Sequence, residues 1–304
     1  MKGSRRAMPR RGVSGRAPGP GLPARARLDE LYRGFDHVTS ATDPVHLVRR
    51  YPAAADREVA GFCAAALAFG RVASVLQSIE ALLGVMGPAP AAFVRDFDLA
   101  RDGGPLGVLG HRWIRGRDLT ALLLVLRRML REAGSIEAFF LAGDDPSAPD
   151  VATGLEAFST RALETPLDHL YHGAPPRQRG VGYFFPRPSA GSACKRLNLF
   201  LRWMARRDAI DLGVWSRVAP ARLIVPLDTH VIRLGRCLRL TRYLSPGWRM
   251  AAEITASLRA IDPEDPVRFD FALCHVGMMK ACGFGRPQRD SQCPLRGLCH
   301  PRGA

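Results

Sequence analysis

Lysine is nearly absent from this chain. Of its 44 basic residues only Lys2, Lys195 and Lys280 are lysines. Base composition of the coding DNA accounts most simply for the bias toward arginine. A guanidinium nonetheless stays protonated, whereas a lysine amine can lose its proton and attack carbon. Lys195 is therefore a candidate nucleophile. It opens a helical pattern, where the positive end of the helix dipole favours loss of the ammonium proton. Lys280 stands beside a group of cysteines and reads as structural or phosphate-contacting. Asp228 lies 33 residues after Lys195 and directly precedes another helical pattern, which makes it a good N-cap. His230 and Arg233 share that helix. His230 can orient Asp228 or line a pocket, and both residues can equally be solvated or packed. A third group, Cys282, Asp290, Cys293 and Cys299, has the residue types that hold metal ions.

Helices must position these side chains. Apolar residues recur at offsets of three and four over Asp56–Gly87, as two helices joined near Gly70. Leu119–Leu130 is strongly apolar, and Arg127, Arg128 and Arg131 suit its C-terminal end. Ser135–Leu141 and Thr153–Leu163 predict shorter helices, separated by the polar loop Asp144–Asp150. His172–Ser192 is too dense in Gly and Pro for any regular element. A helix then runs from Lys195 through Leu197, Phe200, Leu201 and Met204. The short apolar run Leu223–Val225, closed by Pro226, leads to Asp228 and a helix through Val231, Leu234 and Leu238. Met250–Ile261 and Phe269–Met278 are two more amphipathic helices. Without an alternating strand set or a tandem repeat, the expected fold class is all-α. With 304 residues and 47% apolar content, the chain can form one large domain or two packed lobes.

The run Leu223-Ile224-Val225-Pro226-Leu227-Asp228-Thr229-His230-Val231-Ile232-Arg233 resembles one segment of the helix-hairpin-helix DNA glycosylases. There a catalytic aspartate begins a helix, typically as V-D-T-H-V-x-R. Members include endonuclease III, the adenine glycosylase of mismatch repair and the 8-oxoguanine glycosylases. The resemblance covers roughly residues 190–300, while the N-terminal half shares only helical character. The chain also resembles a bacterial family related to endonuclease III and to archaeal 8-oxoguanine DNA glycosylase. The resemblance implies a two-lobed helical fold and base excision from double-stranded DNA. Breaking an N-glycosidic bond builds positive charge on the sugar, which a carboxylate at Asp228 would stabilise. One Asp228 oxygen can cap the helix while the other faces the sugar. An amine at Lys195 would split the reaction through a Schiff base and permit strand cleavage.

In many of these enzymes the lysine ends a Gly-rich hairpin, L-P-G-V-G-x-x-T-A, much nearer the aspartate, at the position Ile210 occupies here. The longer spacing resembles that of the archaeal 8-oxoguanine glycosylases. It makes Gly191-Ser192-Ala193-Cys194-Lys195 the end of an enlarged hairpin, with Gly191 beside DNA; Gly180-Val181-Gly182 lies too far upstream to serve. Endonuclease III holds an iron–sulfur cluster with C-x6-C-x2-C-x5-C. The counterpart here is Cys282-x7-Asp290-x2-Cys293-x5-Cys299, with Asp290 in the second cysteine's place and Cys274 and His300 nearby. A [4Fe–4S] cluster on this incomplete set, a zinc site, and a metal-free remnant over 282–299 remain alternatives.

The net charge of +16 favours a polyanionic partner, and half of it lies in residues 1–27, which contain no acid. That Gly-, Pro- and Arg-rich tail reads as disordered, either a DNA tether or a solvated extension, leaving 28–304 as the helical domain. No run of apolar residues is long enough for a membrane span. The odd set of seven cysteines fits reduced thiols, so a cytoplasmic, nucleoid-associated monomer is expected. Trp203, Trp215, Trp248, Phe184 and Phe185 could stack on bases, although aromatics at helical spacing are usually core. The leading expectation is a glycosylase with AP-lyase activity on an oxidised purine such as 8-oxoguanine. The alternatives are a non-catalytic nucleic-acid-binding protein that keeps the fold, and an RNA-directed relative.

Overall fold

The longer helices follow the periodic apolar runs, and the side chains of Asp98, Ser135 and Asp228 cap the starts of individual helices. The computed structural model describes residues 22–36, 43–171, 180–278 and 293–298, which carry fourteen α-helices and one minimal hairpin. The first half comprises α1 (Leu22–Arg33), α2 (Val45–Arg49), α3 (Ala54–Leu67), α4 (Val72–Met86), α5 (Pro90–Arg95) and α6 (Leu99–Gly107). Gly70, at φ +112°, turns the chain between α3 and α4, a conformation that L side chains rarely adopt. Strands β1 (Gly110–His111) and β2 (Ile114–Arg115) pair antiparallel, with Gly110 opposite Arg115 and His111 opposite Ile114. This hairpin escaped the periodicity argument because two residues per strand are too few to alternate.

Next come α7 (Gly116–Ala133), α8 (Ile136–Leu141), α9 (Ala152–Leu163) and α10 (Asp168–Tyr171). The second half holds α11 (Lys195–Ala205), α12 (Thr229–Cys237), α13 (Trp248–Arg259) and α14 (Asp270–Met278). Two short 3₁₀ turns, Gly180–Tyr183 and Pro188–Ala190, form inside the Gly/Pro-rich stretch that was expected to be wholly irregular. The basic tail needs a similar correction at its inner end. Residues 22–27 already belong to α1, and Arg27 Nε donates to the Pro294 carbonyl at 2.7 Å. Residues 1–21 lie outside the described residues.

The core is continuous. α7 buries most of its length, and α3 packs against α11 through Phe62 and Phe200, whose ring centroids lie 5.1 Å apart. Trp203, Trp215, Phe184 and Phe185 are buried in this core, as aromatics at helical spacing usually are. Glu58 of α3 is buried too. It accepts from the Ile136 and Glu137 amides at 3.2 and 2.9 Å and from the Trp215 indole at 2.5 Å. Burial pushes this carboxyl up, and those donors oppose it. Glu58 thus caps α8 and ties it to α3 and the 215 loop, a structural task rather than a chemical one. Among the described residues no helix is long and apolar enough to cross a membrane.

Candidate functional site

Lys195 and Asp228 come from different helices and line the same cleft, of about 640 Å³. One wall is made by the start of α2 (Asp43, Pro44), the α3–α4 connection (Ala68, Phe69, Gly70) and α4. The facing wall comes from α11, α12 and α14. On α11 the lining residues are Lys195, Leu199 and Arg202, one helical face at offsets of four and three. On α14 they include Asp270, Cys274 and Met278, again one face.

Backbone geometry aims Lys195. Gly191 takes a left-handed conformation at φ 78°, and Cys194 does the same at φ 47° immediately before α11. A left-handed cysteine is costly by about 1–3 kcal/mol and persists only where its surroundings enforce it. Here the buried Cys194 side chain packs against the Pro186 and Ser192 carbonyls, each 3.5 Å from Sγ. Burial pushes this thiol up to about 12, so it stays protonated. Lys195 is half-buried, and its Nζ donates to the Ala68 carbonyl at 3.1 Å, just past the end of α3. A substrate that Lys195 attacks must replace that carbonyl as the partner of the amine.

Asp228 is the N-cap of α12. Its Oδ1 accepts from the Val231 amide at 2.7 Å, the bond expected of a cap three residues upstream. Its Oδ2 is also engaged, by the Cys274 thiol at 3.0 Å. Burial first, and then the Asp228 charge, raise the Cys274 thiol well above the usual cysteine range. The S–H therefore donates and the carboxylate accepts. Cys274, considered from sequence only as a neighbour of the cysteine group, is instead the residue that orients Asp228. The sequence signal was its place four residues after Asp270 on one face of α14.

His230 lines the cleft beside Asp228, and its buried Nδ1 has no hydrogen-bond partner among the described residues. It lies against Gly277 of α14. A methyl group at Gly277 would sit 2.6 Å from His230 Cβ and 2.7 Å from Nδ1. Because Cβ cannot swing away, α12 or α14 would have to move. Gly277→Ala is therefore expected to destabilise the fold by about 1–3 kcal/mol, read as a lower denaturant midpoint at unchanged slope. A parent-like midpoint would mean that the two helices are not held this closely. On the same helix His275 donates to the Phe271 carbonyl at 3.0 Å and stacks on the Phe271 ring at 3.9 Å, and burial lowers its pKa.

A buried ion network holds α11 and α14 in register beneath the cleft. Arg202 pairs with Asp211 at 3.1 Å and with Asp270, and Arg206 pairs with Asp211, with Asp265 at 2.8 Å and with Asp208 at 2.8 Å. Burial pushes Asp270 up to about 7; Arg202 opposes this, and the Asp228 charge adds to it. Such networks contribute little net stability, but removing one partner would leave an uncompensated buried charge. Periodicity had placed Arg202 and Asp270 on helices and left their mutual contact undetermined.

None of the remaining described candidates lines the cleft. Arg233 is exposed on α12, and neither it nor Gly191 lines the cleft. The Gly191 carbonyl instead accepts from the Trp248 amide at 3.2 Å and so anchors the start of α13. Gly180-Val181 turns inward: the Val181 amide donates to Tyr171, whose hydroxyl donates to Asp118 at 3.0 Å. Cys293 is buried, whereas Lys280, Cys282, Asp290, Cys299 and His300 lie outside the described residues. Among the described residues no cluster of His, Cys, Asp and Glu could hold a metal ion. Trp113 at the tip of the β1–β2 hairpin is 45% exposed and packs on the cleft residue Phe69, with centroids 4.8 Å apart. An isolated tryptophan outside any periodic run gave no sign of this position.

The family described as "Protein of unknown function (DUF2400)" matches residues 43–279. That span takes in every residue lining the cleft and stops short of Cys282. No curated protein and no solved structure matches.

Proposed function

This chain belongs to the DUF2400 family, and we propose that it is a DNA glycosylase with AP-lyase activity, built on a two-lobed helix-hairpin-helix fold and acting on an oxidised purine such as 8-oxoguanine. One observation carries the proposal: Lys195 and Asp228, singled out by residue type and by motif, line a single cleft, Lys195 as the first residue of one helix and Asp228 as the N-cap of another. A damaged base must leave the DNA stack to be reached, and a cleft of about 640 Å³ can hold one nucleoside. Arginines of this strongly basic chain would hold the phosphates of double-stranded DNA.

In this mechanism the Asp228 carboxylate stabilises positive charge on the sugar as the bond from C1′ to the base breaks. The base leaves with the bonding pair and takes up a proton. The Lys195 amine, once deprotonated, then bonds to C1′; the C1′–O4′ bond breaks, a proton passes from the nitrogen to O4′, and the sugar opens to a protonated imine. Loss of the C2′ proton and of the 3′ phosphate cleaves the strand. The test is incubation of the protein with duplexes that each carry one lesion, reading free base and nicked strand separately. Release of an oxidised purine together with a nick is expected. Stable binding to every duplex with neither product would leave a non-catalytic binding protein.

The cysteine segment belongs to the same proposal, as a [4Fe–4S] site with Asp290 in place of one thiolate, although no step depends on it. A carboxylate matches iron–sulfur chemistry less well than a thiolate, so the cluster should be lost readily in air. Asp290→Cys is expected to retain more iron and sulfide after anaerobic purification. Metal-free protein that is fully active and unchanged by Asp290→Cys would mark the segment as a remnant, and zinc without sulfide would assign it to zinc.

A further inference from the structure

Arg202 on α11 and Asp270 on α14 both line the cleft, and they are only 2% and 3% exposed. Each nonetheless keeps one buried polar atom without a partner among the described residues, Nη2 of Arg202 and Oδ1 of Asp270. The two side chains are joined to each other through Nη1 and Oδ2, and Arg202 Nε is held by Asp211 at 3.1 Å. The guanidinium therefore cannot rotate to satisfy Nη2 elsewhere. What remains is a fixed donor and a fixed acceptor from one ion pair. Leaving such groups unmet inside a protein is costly, so they call for a complementary partner.

Their complement is a lactam edge, a C=O beside an N–H. Guanine carries one on its 1,6 side whether or not it is damaged. Oxidation at C8 adds a second on the 7,8 side, where C8=O accepts and N7–H donates. The undamaged purine offers only a lone pair at N7 and a C8–H there. Resting on the glycosylase reading, we propose that Arg202 and Asp270 form the lesion-reading subsite, with Nη2 donating to O8 and Oδ1 accepting from N7–H. A site that took the 1,6 edge would be filled by any guanine, which a repair enzyme must reject. The 7,8 edge is common to 8-oxoguanine and 8-oxoadenine, so the subsite selects C8-oxidised purines as a class. Asp270 in its ionised form can only accept, which is what distinguishes N7–H from a bare N7. An arriving N–H donor also favours that ionised form over the neutral acid.

The test measures binding of the parent protein to duplexes whose 2′-fluoroarabino sugar resists excision. Each carries 8-oxoguanine, 8-oxoadenine, guanine or 8-methoxyguanine, the last having the substituent at C8 but no N7–H. Both oxo-purines are expected to bind about 10- to 100-fold more tightly than guanine and 8-methoxyguanine. Equal binding of 8-oxoguanine and 8-methoxyguanine, with 8-oxoguanine still excised from ordinary duplexes, would overturn the subsite and leave the glycosylase reading standing. No lesion preference and no excision would remove both. In Asp270→Asn the amide can turn its NH2 toward a bare N7, so the preference should shrink at least tenfold. A folded variant that keeps the full preference counts against the subsite. Should that variant fail to fold, the parent comparison decides alone.

Discussion

Lys195→Gln is expected to abolish covalent capture of DNA. Borohydride reduces an imine between protein and an abasic sugar to a stable amine, so the parent should give a protein–DNA adduct that migrates as one band. Among the described residues Lys195 is the only lysine, and it lines the cleft that also holds Asp228. Glutamine keeps much of the side chain's length and an N–H donor for the Ala68 carbonyl, so the cleft wall should survive the change. It has no amine able to form an imine. The expected result is a strong band for the parent and none for the variant at equal protein and equal DNA binding. Equal trapping in both would move the nucleophile to another amine of the chain.

The second large effect is expected at Asp228→Asn, which should bind lesion DNA like the parent and lose about 10²-fold or more in the rate of base release. The asparagine carbonyl can accept from the Val231 amide as the carboxylate does, and asparagine is among the best N-caps, so α12 should form normally. What disappears is the negative charge. The Cys274 thiol meets one carboxylate oxygen as a neutral donor, so in the parent it orients the group without cancelling its charge. Single-turnover excision with protein in excess separates this loss from any change in affinity. An asparagine variant that excises at the parent rate would leave Asp228 as a helix cap and nothing more.

Much of the scaffold was legible because it is built from local signals. The start of α11 at Lys195 and the Asp228 cap of α12 were read from apolar spacing and one capping residue, and both stand where expected. The Gly70 break between α3 and α4 and the short helix expected over Ser135–Leu141, found as α8, belong to the same class. The misses share a different cause. The inner end of the basic tail joins α1, which buries Leu28, and composition alone could not reveal a docking partner. α2 and α10 span too few turns to establish a period, α5 has no capping side chain to announce it, and α6 carries Gly103, Gly104 and Pro105, which read as breakers.

The amino-acid sequence by itself determined the helical class, the rarity of lysine and the motif around Asp228, because each of these is a property of neighbours along the chain. Only the tertiary structure decided that Lys195 and Asp228 share a cleft, that Cys274 rather than His230 grips the carboxylate, and that Arg202 and Asp270 meet beside it. Cys274 lies 46 residues from Asp228, and Asp270 lies 68 from Arg202. Contacts over such separations depend on how α11, α12 and α14 pack. That packing rests on close approaches such as Gly277 against His230 and on a buried ion network whose pairings no local period specifies.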